Sequence, residues 1–161
     1  PAFMKSFRRL TTMIARVASV SEGAATVTVL SGDVHHSYAA RAALDGVGED
    51  AAPVHQLVCS PVHNYAPRYV EPVFRFGWSH RLAPITRRWA RRHGSPALRV
   101  SWTHTEGPLF GNTVATIDFT GRLAEAYFEQ PDDAGGLTEV ARIRLSAARR
   151  PTPTATSPDR P

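Results

Sequence analysis

The feature that most constrains the fold is a short β-branched run that stops at a tight loop, TVTVLSGDVHHSY at residues 26–38. Valine alternates with threonine at the start of this stretch, Leu30 follows, and Gly32 ends the apolar run. This pattern predicts a short buried strand from Thr26 to Leu30 that leads directly into a turn. Such a strand has to be covered by neighbouring strands and helices, so the chain is expected to form an α/β layered structure.

The loop after this strand carries side chains suited to metal binding, because Asp33, His35 and His36 follow the strand directly. Open α/β sheets hold their ligands outside the carboxyl ends of the strands. A carboxylate oxygen and an imidazole nitrogen are ligands for a divalent or trivalent metal ion. The same residues also fit an ordinary Gly-Asp turn with two solvated histidines, and taken alone they leave both interpretations open.

A resemblance to a known family favours the metal interpretation. The motif Gly32-Asp33-Val34-His35, with the run VHQLVCSPVHN at residues 54–64, resembles the C-terminal part of the PhoD-like (alkaline phosphatase D) branch of the calcineurin-like metallophosphoesterases. In that branch the last metal-binding motif is GDxH. The resemblance implies that Asp33 and His35 are metal ligands and that His36 supports the site or faces the phosphate.

The resemblance extends more loosely to the loop at Ser60–Asn64. By this correspondence His63 and Asn64 would contact the substrate phosphate or a water molecule at the metal site. The alternative is that the Ser-Pro step and Asn64 only shape a turn. His55, near the start of the preceding strand, is instead interpreted as a strand histidine with a local partner.

The resemblance implies a metal-dependent hydrolase of phosphomonoesters or phosphodiesters. Such enzymes use two metal ions about 4 Å apart to activate water and neutralise the phosphate. Iron and calcium are the favoured ions, and manganese or zinc are alternatives. The implied fold is a mixed α/β structure, the C-terminal portion of a four-layer α-β-β-α sandwich.

The family's earlier motifs, DxH, GDxxD and GNH(D/E), do not occur ahead of the GDxH loop. We therefore expect a missing N-terminal half of the same domain to supply the remaining ligands, and the isolated chain to be inactive. The competing hypothesis is a non-catalytic module, a fragment or degenerate relative that keeps the fold and serves in interactions.

The remaining elements are predicted from periodicity. A helix is expected near the start, with an apolar stripe formed by Phe3, Phe7, Leu10, Ile14 and Val17. Two strands, Tyr38–Leu44 and Val54–Ser60, are expected to pair as a hairpin, and a second helix is expected from about Leu82 to Gly94.

In the last third, strands are predicted over residues 98–104, 113–119, 123–129 and 141–145, with loops at Gly107–Pro108 and Gly111–Asn112. These strands are expected to build a second sheet. One domain is thus predicted over residues 1–149, followed by a disordered tail over residues 150–161, whose side chains offer little to bury.

Composition narrows the function classes. The chain has 161 residues with 42% hydrophobic content, and no apolar run approaches the roughly 20 residues that span a bilayer. The net charge is +5, but the arginines are spread over several predicted elements and no nucleic-acid-binding motif accompanies them.

Cys59 is the single cysteine, which excludes an intramolecular disulfide within this segment and predicts a small buried side chain. The localisation stays open.

Overall fold

A computed structural model describes residues 2–20, 23–32, 35–59 and 99–146, together with isolated positions between residues 72 and 93. Several sequence predictions fall outside these described residues. They concern Asp33, the loop with His63 and Asn64, most of the helix expected from Leu82 to Gly94, and the tail over residues 150–161.

The described residues form one helix and two β-sheets. In chain order the elements are α1 (Ala2–Ser19), β1 (Val27–Ser31), β2 (Ser37–Leu44), β3 (Val54–Val58), β4 (Val100–Leu109), β5 (Val114–Thr120), β6 (Leu123–Pro131) and β7 (Leu137–Arg144). The first sheet has the order β1-β3-β2-β4, and the second has the order β5-β6-β7. One helix and two sheets confirm the predicted mixed α/β class. In this part of the chain, no helix is both long and apolar enough to cross a bilayer.

The first sheet is covered on both faces. On one face Val54 and Ala42 pack against Ala18 of α1. On the other, Ala39 and Leu57 pack against the second sheet in a cluster that includes Phe128, which is 0% exposed. Successive side chains of a strand point to opposite faces, so the alternating sequences of β2 and β3 supply both cores. The described elements therefore stack as helix, sheet and sheet.

The register of the first sheet brings three strand ends to one edge. β1 runs parallel to β3, with Ser31 opposite Val58. β2 runs antiparallel to both of its neighbours, with Tyr38 opposite Val58 and Ser37 opposite Leu109. The carboxyl ends of β1, β3 and β4 consequently lie at the edge where β2 begins. The predicted antiparallel pairing of β2 with β3 is confirmed.

The structure corrects the prediction for β4. This strand continues through the expected loop at Gly107–Pro108 to Leu109, and it pairs with β2 in the first sheet instead of joining the second. The pairing is irregular between Ser37 and Ala40, where Gly107 has a φ of +92°, and a Cβ there would lie 2.8 Å from the carbonyl oxygen of Ser37. Glycine is needed because the two backbones approach this closely.

Burial also differs from the prediction in two elements. The sequence predicts β1 as a buried strand, but it is an edge strand among those described, and Leu30 is 64% exposed. The first helix is confirmed, but only part of its expected stripe faces the sheet. Phe7 and Ile14 contact the core, whereas Phe3 is 78% exposed. Leu10 and Val17 are exposed as well, because they lie about a quarter turn around the helix from the core-facing side chains.

Candidate functional site

The residues that directly follow β1 and β3, Gly32 and Cys59, lie side by side. The backbone N–H of Cys59 donates a hydrogen bond to the carbonyl oxygen of Ser31, with a distance of 3.1 Å. A Cβ at Gly32 would lie 3.3 Å from the carbonyl oxygen of Cys59. The parallel pairing thus extends one residue beyond β3, and little room is left for a side chain at Gly32. This close approach is a structural reason for glycine at position 32, the first residue of the GDxH motif.

His35 is presented to solvent at this edge. Its side chain is exposed, and its backbone has a φ of +60°. A non-glycine residue in this left-handed conformation costs about 1–2 kcal/mol, so the surrounding structure has to hold it there. An exposed imidazole at the carboxyl end of a strand is suited to binding a ligand that approaches from outside the sheet.

His36, by contrast, is buried in an aromatic cluster. It is 3% exposed, its ring stacks on Tyr38 with centroids 5.5 Å apart, and its ring centroid lies 6.1 Å from that of Phe110. The ring of Tyr38 in turn packs edge to face against that of His104 in β4, with centroids 6.0 Å apart. Burial raises the pKa of Tyr38, so its phenol stays neutral. Of the two roles that the resemblance implies for His36, this buried position favours support of the loop.

The residues that follow β4 also lie at this edge, and hydrogen bonds join them to the second sheet. Gln130 of β6 donates hydrogen bonds to the Phe110 carbonyl at 2.8 Å and to the Thr113 hydroxyl at 3.1 Å. Thr113 is 3% exposed, and the Cys59 thiol donates to its carbonyl at 3.1 Å. Cys59 is half-buried and links the end of β3 to this segment. The edge beneath His35 is therefore braced by both sheets.

One of the two predicted metal ligands, His35, lies among the described residues, and its side chain is exposed. Asp33, His63 and Asn64 lie outside the described ranges. Within those ranges, no group of three or more His, Cys, Asp and Glu side chains comes together. An imidazole nitrogen is a donor that several metal ions accept, and a complete site would need further donors from outside the described ranges.

His55 lies away from this edge in β3 and has a hydrogen-bond partner, but that partner is not local as expected. It is 4% exposed, and its Nε2 donates a hydrogen bond to the carbonyl oxygen of Leu145 at 3.0 Å. Burial lowers the pKa of His55, the bond to Leu145 opposes that shift, and the positive charge of Arg41 lowers the pKa further. The partner lies 90 residues away along the chain, so His55 joins the first sheet to the residue that follows β7.

Sequence reasoning missed the aromatic cluster around His36. The two-residue spacing of His36 and Tyr38 was a usable signal, because alternate strand residues share a face. The contact with Phe110 had no such signal, since it depends on the pairing of β4 with β2, which was not predicted.

Comparison of the chain with models of protein families, with curated proteins and with solved structures finds no match. The motif GDxH and the geometry of its loop are therefore the basis for the proposal that follows.

Proposed function

We propose that this chain contributes the last metal-ligand loop of a metal-dependent phosphoester hydrolase, with Asp33 and His35 as the ligands. The observation that carries the proposal is the exposed His35 at the edge where the carboxyl ends of β1, β3 and β4 meet. α/β enzymes place their reacting groups at this edge of a sheet, since the loops from several strands converge there.

Each side chain of the loop has a distinct task in this proposal. Asp33 provides a hard oxygen ligand and His35 a nitrogen ligand, a pair that several divalent or trivalent ions accept. Iron and calcium are favoured by the resemblance alone, and manganese or zinc are the alternatives. His36 holds the loop through its stack on Tyr38. His63 and Asn64 contact the phosphate of a phosphomonoester or phosphodiester. Two bound metal ions would supply the positive charge that activates water and neutralises the phosphate oxygens.

A loop with two ligands does not fix the coordination number or geometry of a two-metal site. The proposal therefore includes an N-terminal half of the same domain that supplies the other ligands. It follows that the chain of 161 residues should not hydrolyse a phosphoester by itself. The competing interpretation as a non-catalytic module predicts a complete reading frame that lacks the DxH, GDxxD and GNH(D/E) motifs.

The test is a ranking of variants in the product of the complete reading frame, assayed with a chromogenic phosphoester in the presence of Fe, Ca, Mn or Zn. Asp33→Ala and His35→Ala each remove a metal ligand and should lower turnover by orders of magnitude. His36→Ala alters only the support of the loop, and such changes typically cost about 10–100-fold. His93→Ala, at an exposed position that the resemblance to GDxH does not include, is the matched control and should leave the rate unchanged.

Two results would count against the proposal. If the complete product hydrolyses no phosphoester with any of these metals, the assigned reaction is wrong. If His36→Ala abolishes metal content while His35→Ala retains the wild-type rate, the alignment of the GDxH motif is wrong, and the ligand assignment fails with it.

A further inference from the structure

The helix α1 packs on one face of the first sheet, which we call the outer face, and its contacts lie toward one end of that face. They include Ala42 near the end of β2 and Val54 at the start of β3. These positions lie toward the edge opposite the one where the carboxyl ends of β1, β3 and β4 meet. The half of the outer face next to the His35 edge therefore has to be considered separately.

Two side chains in that half are fully buried. Val58 is 0% exposed and Ala40 is 1% exposed. Both lie on the outer face, because they alternate along their strands with Leu57 and Ala39, which pack against the second sheet. Neither belongs to a core cluster formed by the described residues. This burial exists within a single chain, so it requires a cover from the same chain and no partner protein.

The connection from β3 to β4 has to pass over one face of this sheet. Both strands run antiparallel to β2, which lies between them, so they are parallel to each other. The connection therefore leaves β3 at the His35 edge and reaches β4 at the opposite edge. Such crossovers need roughly a dozen or more residues, and they are right-handed in about 98% of cases. The handedness decides which face residues 60–98 cross.

Backbone hydrogen bonds define the left and the right of the sheet. In a strand of L-residues that runs upward with one side chain toward the viewer, the N–H and C=O of that residue point to the right. The N–H of Cys59 points to Ser31 of β1, and its thiol points to Thr113, which leads into β5 of the second sheet. Viewed from the second sheet with β3 upward, β1 lies to the right, and β2 and β4 lie to the left. Viewed from the outer face, β4 therefore lies to the right of β3.

A second hydrogen bond gives the same orientation. The N–H of Val27 donates to the Pro53 carbonyl, and its side chain packs in the cluster on the outer face. Viewed from that face with β1 upward, β3 lies to the right of β1, and β4 lies further right in the strand order. A right-handed crossover moves to the right when the connection lies in front of the sheet. The connection from β3 to β4 is thus right-handed only if it crosses the outer face.

The composition of residues 60–98 suits a cover of this surface. Large rings can pack on the small side chains of Ala40 and Val58, and on the edge-to-face pair of Tyr38 and His104 beside them. The segment has aromatic side chains at Tyr65, Tyr69, Phe74, Phe76, Trp78 and Trp89. Trp89 is 64% exposed, so we expect the contact from aromatic residues nearer the start of the segment.

The other residues outside the described ranges are poor candidates for this cover. Residues 21–22 and 33–34 are single dipeptides, too short to span two strands. Residues 147–161 contain no apolar side chain larger than proline, so they offer little apolar area to bury.

We propose that residues 60–98 cross the outer face of the first sheet and dock on the half next to the His35 edge. Val58 and Ala40 form the buried centre of this contact, and the occupant is the aromatic-rich segment of the same chain. The surface is therefore an interface within the chain. The assignment rests on strand order, hydrogen-bond direction and burial, and it does not depend on the hydrolase proposal.

The test is the measurement of nuclear Overhauser effects (NOEs) in the purified, isotope-labelled chain. The methyl groups of Val58 and Ala40 should show NOEs to protons of residues 60–98. The matched controls are the preceding residues of the two strands, Leu57 and Ala39, whose side chains face the second sheet. Their methyl groups should show NOEs to Phe128, which belongs to the same cluster, and none to residues 60–98.

A pair of substitutions gives a second readout in the same spectra. Val58→Ala should shift the amide signals of residues 60–98 more than those of β6, because the lost methyl groups lie in the contact with that segment. Leu57→Ala should show the opposite preference, since its side chain packs against the second sheet.

The proposal is overturned if Leu57 and Ala39, instead of Val58 and Ala40, show the NOEs to residues 60–98, because the connection would then be left-handed. It is also overturned if Val58 and Ala40 show no NOE to that segment. A mixture of labelled and unlabelled chains covers the remaining case: NOEs between Val58 and a second copy would assign the cover to a dimer and contradict the proposal.

Discussion

Replacing His55 by leucine tests how the two sheets are joined. The substitution removes the hydrogen bond from Nε2 to the Leu145 carbonyl, and Leu145 is 1% exposed. A buried carbonyl left without its donor costs about 1–3 kcal/mol. However, the Nδ1 of His55 is itself a buried atom without a hydrogen-bond partner among the described residues, and leucine removes that penalty. The effects oppose each other, so we expect a net loss of about 1 kcal/mol at pH 7.5.

The pH dependence of the unfolding free energy tests the buried environment of His55. Its pKa is lowered in the folded state, so below the unfolded pKa of about 6.5 the unfolded chain binds more protons than the folded chain. The stability that His55 contributes is therefore present above this pH and declines as the pH falls. The decline for one group is at most about 1.4 kcal/mol per pH unit. Wild type should lose stability between pH 6.5 and 5.5 more steeply than His55→Leu.

The measurement is urea unfolding, followed by circular dichroism, at a series of pH values from 7.5 to 5.5. Phe119→Ala is the control, because the side chain is 71% exposed and the substitution removes no titratable group; its pH slope should match that of wild type. Parallel curves for wild type and His55→Leu would refute the reasoning, since they would show that His55 takes up its proton equally in both states.

Two further substitutions test the inter-sheet core and the β2–β4 pairing by the same urea assay. Phe128→Ala should cost about 3–5 kcal/mol because the side chain is fully buried, whereas Phe119→Ala, at a position 71% exposed, should stay within about 0.5 kcal/mol of wild type; equal losses would contradict the assigned core. Gly107→Ala should be more destabilising than Gly121→Ala. Both glycines have positive φ, so the backbone strain of an alanine is common to the two substitutions. A Cβ at residue 107 would lie 2.8 Å from the Ser37 carbonyl oxygen, whereas a Cβ at residue 121 would have no neighbour within 4 Å. The reverse order would contradict the close approach of β2 and β4.

Local patterns were sufficient to predict most of the described elements. The helical spacing of apolar residues predicted α1, and alternation bounded by turn residues predicted β1, β2 and β3 to within two residues. The alanine-rich β2 was the hardest of these, because alanine favours helix. The turn cluster that follows Leu44 supported the correct choice.

Long-range pairing explains what was missed. The local sequence at Gly107 and Pro108 predicts a loop, but the pairing of β4 with β2 keeps that segment in the sheet. The edge position of β1 likewise depends on strand order, which periodicity does not encode. At the candidate site, the motif predicted where His35 lies relative to the strand. The burial of His36 depends on Phe110, which the unpredicted pairing of β4 with β2 brings to the same edge.

The most direct test of the central claim is whether Asp33 and His35 bind one metal ion together. Paramagnetic Mn²⁺, added in steps to the chain, broadens the NMR signals of imidazole protons close to the bound ion. We predict that His35 broadens first, well before the exposed His93, and that Asp33→Ala removes this preference, because each ligand contributes to the affinity. The claim is contradicted if His35 and His93 broaden at the same Mn²⁺ concentration and Asp33→Ala changes neither.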